Sequence, residues 1–404
     1  MGMDRGPGAL VALQLAWLLL GVPDARAQPF VGLGTLQGDA ASGAYAVSAD
    51  GSIVAGISGS GLPTGQPFRW TQAAGMQGLG LVTGALFATC RAISADGSTI
   101  VGGMIGSPSE AYRWTEAGGF EALGTLEGGT SQAFGVSADG SVVVGVSSFT
   151  GGKAFRWTAG DGMKSLEFLS GGSFSTAQAV SADGEVVVGY GTSSNTIGFD
   201  DEAFRWTASD GMLHSLGDLA GGDFNSRAFG VSSDGLVAVG ESDSDRGSDA
   251  FRFTDSIQSL GDFNATAHAA SADGSRIVGE ADFGLGSLAE AFVWDADHGL
   301  RRLASVLTDD LHVDLTGWSL GPAQAISADG DTIVGWGTHG NQTEAWLARL
   351  PEPAAARLQG VALAALVALR RLVTFARLRR LRLAARARFA SAGRDSSRSD
   401  GVAC

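Results

Sequence analysis

Residues 133–145 read Ala-Phe-Gly-Val-Ser-Ala-Asp-Gly-Ser-Val-Val-Val-Gly, and Phe155-Arg156-Trp157 follows ten residues later. A small and apolar run leads into Ser-Ala-Asp-Gly, where an Asp-Gly pair supplies turn dihedrals and a φ > 0 position. A β-branched run ending in Gly then leads to an aromatic strand with Arg at its centre. Two strands joined by a tight turn, followed by a third, is the start of an antiparallel meander.

The same passage recurs along the chain. Ser-x-Asp-Gly occurs seven times, with its carboxylate at Asp50, Asp96, Asp139, Asp183, Asp234, Asp273 and Asp329, at spacings of 46, 43, 44, 51, 39 and 56 residues. An aromatic element tracks it: Phe68-Arg69-Trp70, Tyr112-Arg113-Trp114, Phe155-Arg156-Trp157, Phe204-Arg205-Trp206, Phe251-Arg252-Phe253, Phe292-Val293-Trp294 and Ala345-Trp346. A third element of the Leu-Gly-x-Leu type follows in six units: 76–81, 120–126, 163–169, 212–219, 257–263 and 300–307. The seventh copy, Leu33-Gly34-Thr35-Leu36, stands before the first Ser-x-Asp-Gly. Four short strands per 40–50 residues predict an all-β, seven-bladed β-propeller of four-stranded blades, with the displaced N-terminal strand completing the last blade. An open solenoid is the alternative, but it needs capping repeats that the sequence does not supply.

Residues 30–350 resemble the extracellular repeat family named HAF for its His-Ala-Phe motif, whose units carry Ser-x-Asp-Gly, Val-Gly and Phe-x-Trp. The His is absent here, where Gln66-Pro67, Glu110-Ala111, Lys153-Ala154 and Glu202-Ala203 precede the aromatic. Asp314-Leu315-Thr316-Gly317-Trp318, leading into Ala325-Ile326-Ser327, is similar to that family's closing repeat. The resemblance implies export and a repeat architecture, and no particular reaction.

Of the 404 residues, 17% are charged, 44% hydrophobic and 62 are Gly, a globular composition. The net charge of −15 is unevenly spread: residues 354–404 hold eleven Arg against Asp395 and Asp400, leaving −24 on residues 1–353. So acidic a body repels phosphate backbones, and no nucleic-acid partner is expected. Cys90 and Cys404 are too few for a disulfide framework.

The two ends read as addresses. Residues 1–27 form a signal peptide: Arg5, an apolar helical run Ala9–Val22, Pro23, then Ala25-Arg26-Ala27 before Gln28. At the other end Pro351-Glu352-Pro353, the apolar stretch Gly360–Leu369 and Arg370-Arg371 resemble the PEP-CTERM sorting signal. That resemblance implies inner-membrane anchoring and an exosortase-type processing enzyme as partner. Arg357 and Gln359 interrupt the apolar run, and 33 residues follow Arg371, so a basic amphipathic helix lying on the membrane and a solvated tail are the alternatives. The expected organisation is a signal peptide over 1–27, repeats over 28–350, an apolar and Arg-rich helix over 351–390, and a disordered tail over 391–404.

The repeated residues read as structure. An Asp before Gly bonds its own backbone, and a residue present in every blade serves every blade, so turn chemistry is preferred to metal ligation. Phe and Trp alternate with Arg, which puts the rings (Trp70, Trp114, Trp157, Trp206, Trp294, Trp346) between blades, the rival being an exposed stacking platform for sugars. The links from Val-Val-Gly to Phe-Arg-Trp vary in length and share a rim with the inter-blade crossings, which makes that rim the expected binding face. Its acid clusters, Asp200-Asp201-Glu202 and Asp243, Asp245 and Asp249, are the candidate ligand-loop residues; they lack a calcium-loop pattern and read as solvated acidic surface.

His214, His268, His298, His312 and His339 occupy unrelated repeat positions, and Cys90 reads as a buried small hydrophobe. No residue is singled out as catalytic, cofactor-binding or metal-ligating, and no cofactor is expected. The expectation is an exported non-enzymatic binding or scaffold module, at the cell surface or in the matrix, whose partners are polysaccharide or a surface protein. A glycan-active propeller enzyme is the alternative. It needs carboxylates and an Arg or Tyr at the central channel, drawn from only Tyr45, Tyr112 and Tyr190. A self-assembling surface structural protein is a third reading.

Overall fold

The computed structural model describes residues 28–351, apart from 62–63, 108, 148–150, 199 and 285–288. The expected signal helix, C-terminal helix and tail lie outside the described residues. Nearly all regular structure is β. Around Asp139 the strands Ser131–Val136, Val142–Ser147, Lys153–Thr158 and Gly162–Ser165 form a four-stranded antiparallel meander in chain order. The next copy repeats it with Ser175–Val180, Val186–Gly191, Glu202–Thr207 and Leu213–Gly217. The Ser-x-Asp-Gly turn joins first and second strands in each copy.

Four units depart from the pattern. Around Asp96 the first strand is split into Ala85–Ala88 and Ala92–Ile93, both paired with Thr99–Gly106. The 14-residue strand Ile257–Ala270 pairs with Gly247–Phe253 through one half and Arg276–Ala281 through the other, so two meanders run together without a crossing loop. In the last unit Trp318–Ile326, Thr332–His339 and Gln342–Arg349 take their fourth strand from the N-terminus. That strand is Phe30–Gly34, paired antiparallel with Gln342–Arg349 from Phe30↔Ala348 to Gly34↔Ala345, a few residues earlier than the Leu33–Leu36 expected. The stretch expected as a strand over 300–307 is one only to Arg302. Leu303–Ser305 and Val306–Asp310 turn helically, and Leu303, Val306 and Leu307 fill a hydrophobic cluster instead. Among the described residues no helix is long and apolar enough to cross a membrane.

One chain of hydrogen bonds passes from turn to turn. The residue after each Ser donates its N–H to the carbonyl of the equivalent residue in the next copy: Ala49 to Ala95 (2.9 Å), Ala95 to Ala138 (3.0 Å), Ala138 to Ala182 (3.0 Å), Ala182 to Ser233 (3.0 Å), Ser233 to Ala272 (3.0 Å) and Ala272 to Ala328 (2.9 Å). Ala328 then donates back to Ala49 at 3.0 Å. A solenoid has no bond from its last unit to its first, so the four-stranded sheets make a closed β-propeller.

The core lies between neighbouring sheets. Phe155 and Trp157 pack on Val101, Ala111 and Leu123 of the preceding unit, and Phe204 and Trp206 on Val142, Val144 and Leu166. Phe68 and Trp70 meet Leu33, Val334 and Leu347 across the closure. Phe68, Phe155, Phe204, Phe251 and Phe292 are fully buried, each contributing about 1.5–3 kcal/mol. Trp346, Trp70, Trp157 and Trp206 are buried, whereas Trp114 and Trp294 are half-buried. Buried serines link the units. Ser131 donates to Gly124 O (2.6 Å) and accepts from Ala111 N (2.8 Å); Ser42 does the same at the closure, with Gly34 O (2.6 Å) and Ala345 N (2.9 Å).

Candidate functional site

The innermost strands carry a repeated irregularity. Their pairing with the second strand slips by one residue between Ala44 and Ala46, Ala133 and Gly135, Ala177 and Ala179, Ala228 and Gly230, Ala267 and Ala269, and Ala323 and Ala325. In the split strand, Ala88↔Met104 and Ala92↔Val101 likewise leave one extra residue on the inner side. A β-bulge re-aims a side chain and bends its strand.

The Gly that ends each β-branched run is what admits the bulge. A Cβ on Gly145 would stand 1.9 Å from Gln132 O, on Gly240 1.9 Å from Arg227 O, and on Gly102 1.9 Å from Thr89 O. No side chain fits there, so Val-Val-Gly records a carbonyl pressed against the second strand.

The bulged residues, Tyr45, Arg91, Phe134, Gln178, Phe229, His268 and Gln324, all line one cavity of about 540 Å³ inside the ring, together with Tyr190 from a second strand. They are chemically diverse where the residues around them repeat. Arg91 lies over the Tyr45 ring (5.8 Å) and the Phe134 ring (5.9 Å). Opposite, Tyr190 meets Phe229 edge-on at 5.9 Å, and Phe229 meets His268 at 6.3 Å. Nδ1 of His268 is 3.0 Å from Ala323 O, which can only accept, so the ring donates there.

A charged wall backs Tyr190. Arg227 sits 5.5 Å from the Tyr190 ring, bonds Asp201 at 2.8 Å and approaches Glu241 at 3.4 Å, while Thr266 donates to Glu241 at 2.7 Å. Burial raises the Asp201 carboxyl despite Arg227, and burial also raises the Tyr190 and Tyr45 hydroxyls. Arg227 therefore holds a compact acid–base group beside the cavity.

Three of the six candidate loop acids, Asp201, Glu202 and Asp249, are buried and not the solvated surface expected. Asp201 is buried against Arg227, and its N–H bonds Asn225, whose amide donates to Asp243 at 3.2 Å. Glu202 and Asp249 are buried and accept from Ser215 and Ser259 of the neighbouring fourth strand. They share the repeat position of Glu344, which accepts from Gly34 N at 2.9 Å, so they brace the third strand. Asp200 is half-buried; Asp245 is exposed and 3.9 Å from Arg246. Only Asp201 joins the cavity group. Among the described residues no cluster of three or more His, Cys, Asp or Glu is placed to hold a metal.

The repeated Asp residues sit in turns. Asp139 accepts from Ser137 Oγ (2.7 Å) and Ser141 N (3.0 Å), and Ser137 Oγ accepts from Val142 N (2.9 Å). The same three bonds hold Asp50, Asp96, Asp183, Asp234, Asp273 and Asp329. Arg156 and Arg205 reach the Gly184 and Gly235 carbonyls of the following turn, both at 3.3 Å. Cys90 is buried, its thiol pushed up to about 12 by burial. Tyr112 is buried too, bonding Thr89 O at 2.8 Å. Tyr45 and Tyr190 were among the tyrosines expected to be available to a channel, and of these three Tyr112 is buried elsewhere; the other cavity residues do not repeat and carry no motif. Their signal is positional: each stands three residues before the Ser of Ser-x-Asp-Gly.

No family model and no curated protein matches the chain. Solved structures do. An oligogalacturonate lyase from Vibrio parahaemolyticus is 10% identical over 81% of this chain and 96% of its own, with a TM-score of 0.51. An oligogalacturonate lyase in complex with manganese is 12% identical over 76% and 88%, with a TM-score of 0.49. TolB from Acinetobacter baumannii is 17% identical over 56% of this chain, with a TM-score of 0.39; this chain spans about half, 52%, of that TolB. The likeness at such identity is one of fold, a β-propeller. It nevertheless corrects the expectation of a non-enzymatic module, since an enzyme is among the proteins built on this ring. That expectation rested on finding no recurrent catalytic constellation. A propeller instead gathers single residues from different repeats into its channel, where no repeat pattern reveals them.

Proposed function

We propose that the chain is an exported seven-bladed propeller that binds a glycan, an envelope or matrix polysaccharide, in its central channel. The observation that carries this reading is the set of bulges, which turn seven side chains of five kinds into one cavity. Aromatic faces at Tyr45, Phe134 and Phe229 suit the apolar faces of sugar rings, and Gln178, Gln324, Arg91 and His268 supply hydrogen-bonding groups around them. Seven turns in the closed hydrogen-bond circle support the blade count. The likeness to HAF repeats, the signal at residues 1–27 and the PEP-CTERM-like segment support export, with processing beyond about residue 350. This reading moves the contact from the variable-loop rim into the channel. Binding to a glycan array tests it: Tyr45→Ala and Phe134→Ala abolish retention, whereas Asp245→Asn on the rim leaves it unchanged. Retention by both aromatic variants overturns it. Intact mass of natively expressed protein tests processing, and a mature form still ending at Cys404 overturns that part.

The charged wall favours a second reading, a glycan-active enzyme with Tyr190, Asp201, Arg227 and Glu241 as its reacting group. Product released from the bound glycan, and lost in Tyr190→Phe, supports turnover over binding alone.

A further inference from the structure

The chain carries −24 on residues 1–353, yet among the described residues lining the cavity none is Asp or Glu. The carboxylates closest behind the wall, Asp201 and Glu241, are already engaged by Arg227. His268, the other basic lining residue, faces Glu280 at 3.7 Å. Arg91 differs from both. Among the described residues it has no carboxylate within ion-pair distance, and its guanidinium donates no hydrogen bond. Its described side-chain contacts are the Tyr45 and Phe134 rings on its two sides.

A guanidinium flanked by two rings keeps its planar fork of five N–H donors for a planar acceptor, and an Arg held this way is suited to bidentate capture of a carboxylate. The flanking rings are at the same time the stacking surface for the sugar that bears it. We propose that the channel selects a carboxylated sugar, a uronic acid unit, and that Arg91 receives its carboxylate while Tyr45 and Phe134 receive the ring. This rests on the reading that the channel binds glycan, and adds the charge of the ligand and the residue that reads it. The acidic body does not forbid it: its field is screened beyond about 8 Å at physiological salt, whereas a contact ion pair is not. The contact needed is local, one carboxylate against one guanidinium.

Calorimetry on the full chain uses three probes: uronate hexasaccharides prepared from alginate, the same hexasaccharides with carboxyls reduced to alcohols, and a sulfated cellohexaose. Uronate hexasaccharide is expected to bind at least tenfold tighter than either of the others. Arg91→Gln removes that preference, weakening the uronate by about 10- to 100-fold with little change for the reduced form. Arg91→Lys, which keeps the charge without the fork, recovers part of it. Equal binding of uronate and reduced sugar, a preference that survives Arg91→Gln, or tighter binding of the sulfated probe overturns this inference and leaves glycan binding in place. Failure of all three probes, together with an empty glycan array, overturns both.

Discussion

Ser137 is buried and serves two partners, donating to Asp139 at 2.7 Å and accepting from Val142 N at 2.9 Å. Ser137→Ala strands a backbone N–H in the interior, and chemical denaturation should read a loss of about 2 kcal/mol. Trp157, 6% exposed between two sheets, should cost about 3–5 kcal/mol when cut to Ala. Unchanged melting of the purified variant would show that it is not core. At this scale the sequence was most readable, since a turn serine and a packed ring act through neighbours close in the chain or repeated in every unit. It misled at Glu202 and Asp249. Both look like loop acids, but their partners, Ser215 and Ser259, come from the next strand of the meander. It assigned no role to Arg91 or His268, whose partners come from the adjoining units.

The innermost strand depends on its bulge, and the bulge depends on a glycine. Gly145→Ala drives a Cβ to within 1.9 Å of Gln132 O, a backbone atom that cannot rotate away. A loss of about 3 kcal/mol is expected, or a strand that straightens and withdraws Phe134 from the channel. Thermal melting reads the first and glycan retention the second. The closing strand is an element of another kind. Phe30–Gly34 supplies the fourth strand of the last sheet, buries Leu33 beside Phe68 and Trp70, and accepts the Ser42 hydroxyl at Gly34 O. Removing residues 28–34 should lower the melting temperature by several degrees while leaving β-sheet content largely intact; unchanged melting would show that the ring closes without it. Strands were legible because β-branched alternation and Gly-bearing turns are local signals. Their limits were less so: Ile257–Ala270 runs through what reads as two strands and a crossing, and Leu303 leaves the sheet to fill the core.

At the scale of the ring, six turns act together in acid. Hydrogen bonds from the Ser141 N–H and from the Ser137 and Ser141 hydroxyls lower the Asp139 carboxyl from 3.8 to about 2. Asp50, Asp96, Asp183, Asp234 and Asp273 are lowered as well. A carboxyl lowered by folding stabilises the native state fully above its ordinary value and loses that contribution as the pH falls through the folded value. Stability measured by denaturation should therefore hold down to about pH 4 and fall steeply between about pH 4 and pH 2. A flat profile there would show that the turns do not contribute. Asp201, raised by burial, acts in the opposite sense, since protonation relieves its cost. The chain by itself determined the repeat, its strands, its turns and the borrowed N-terminal strand, because each is written in a short pattern that recurs. Only the tertiary structure decided that the circle closes from Ala328 to Ala49, and that the seven bulged residues meet in one channel. The reason is geometric: residues that share a cavity at the axis are about forty to fifty positions apart in sequence, and what brings them together is the ring, not any contact between neighbours along the chain.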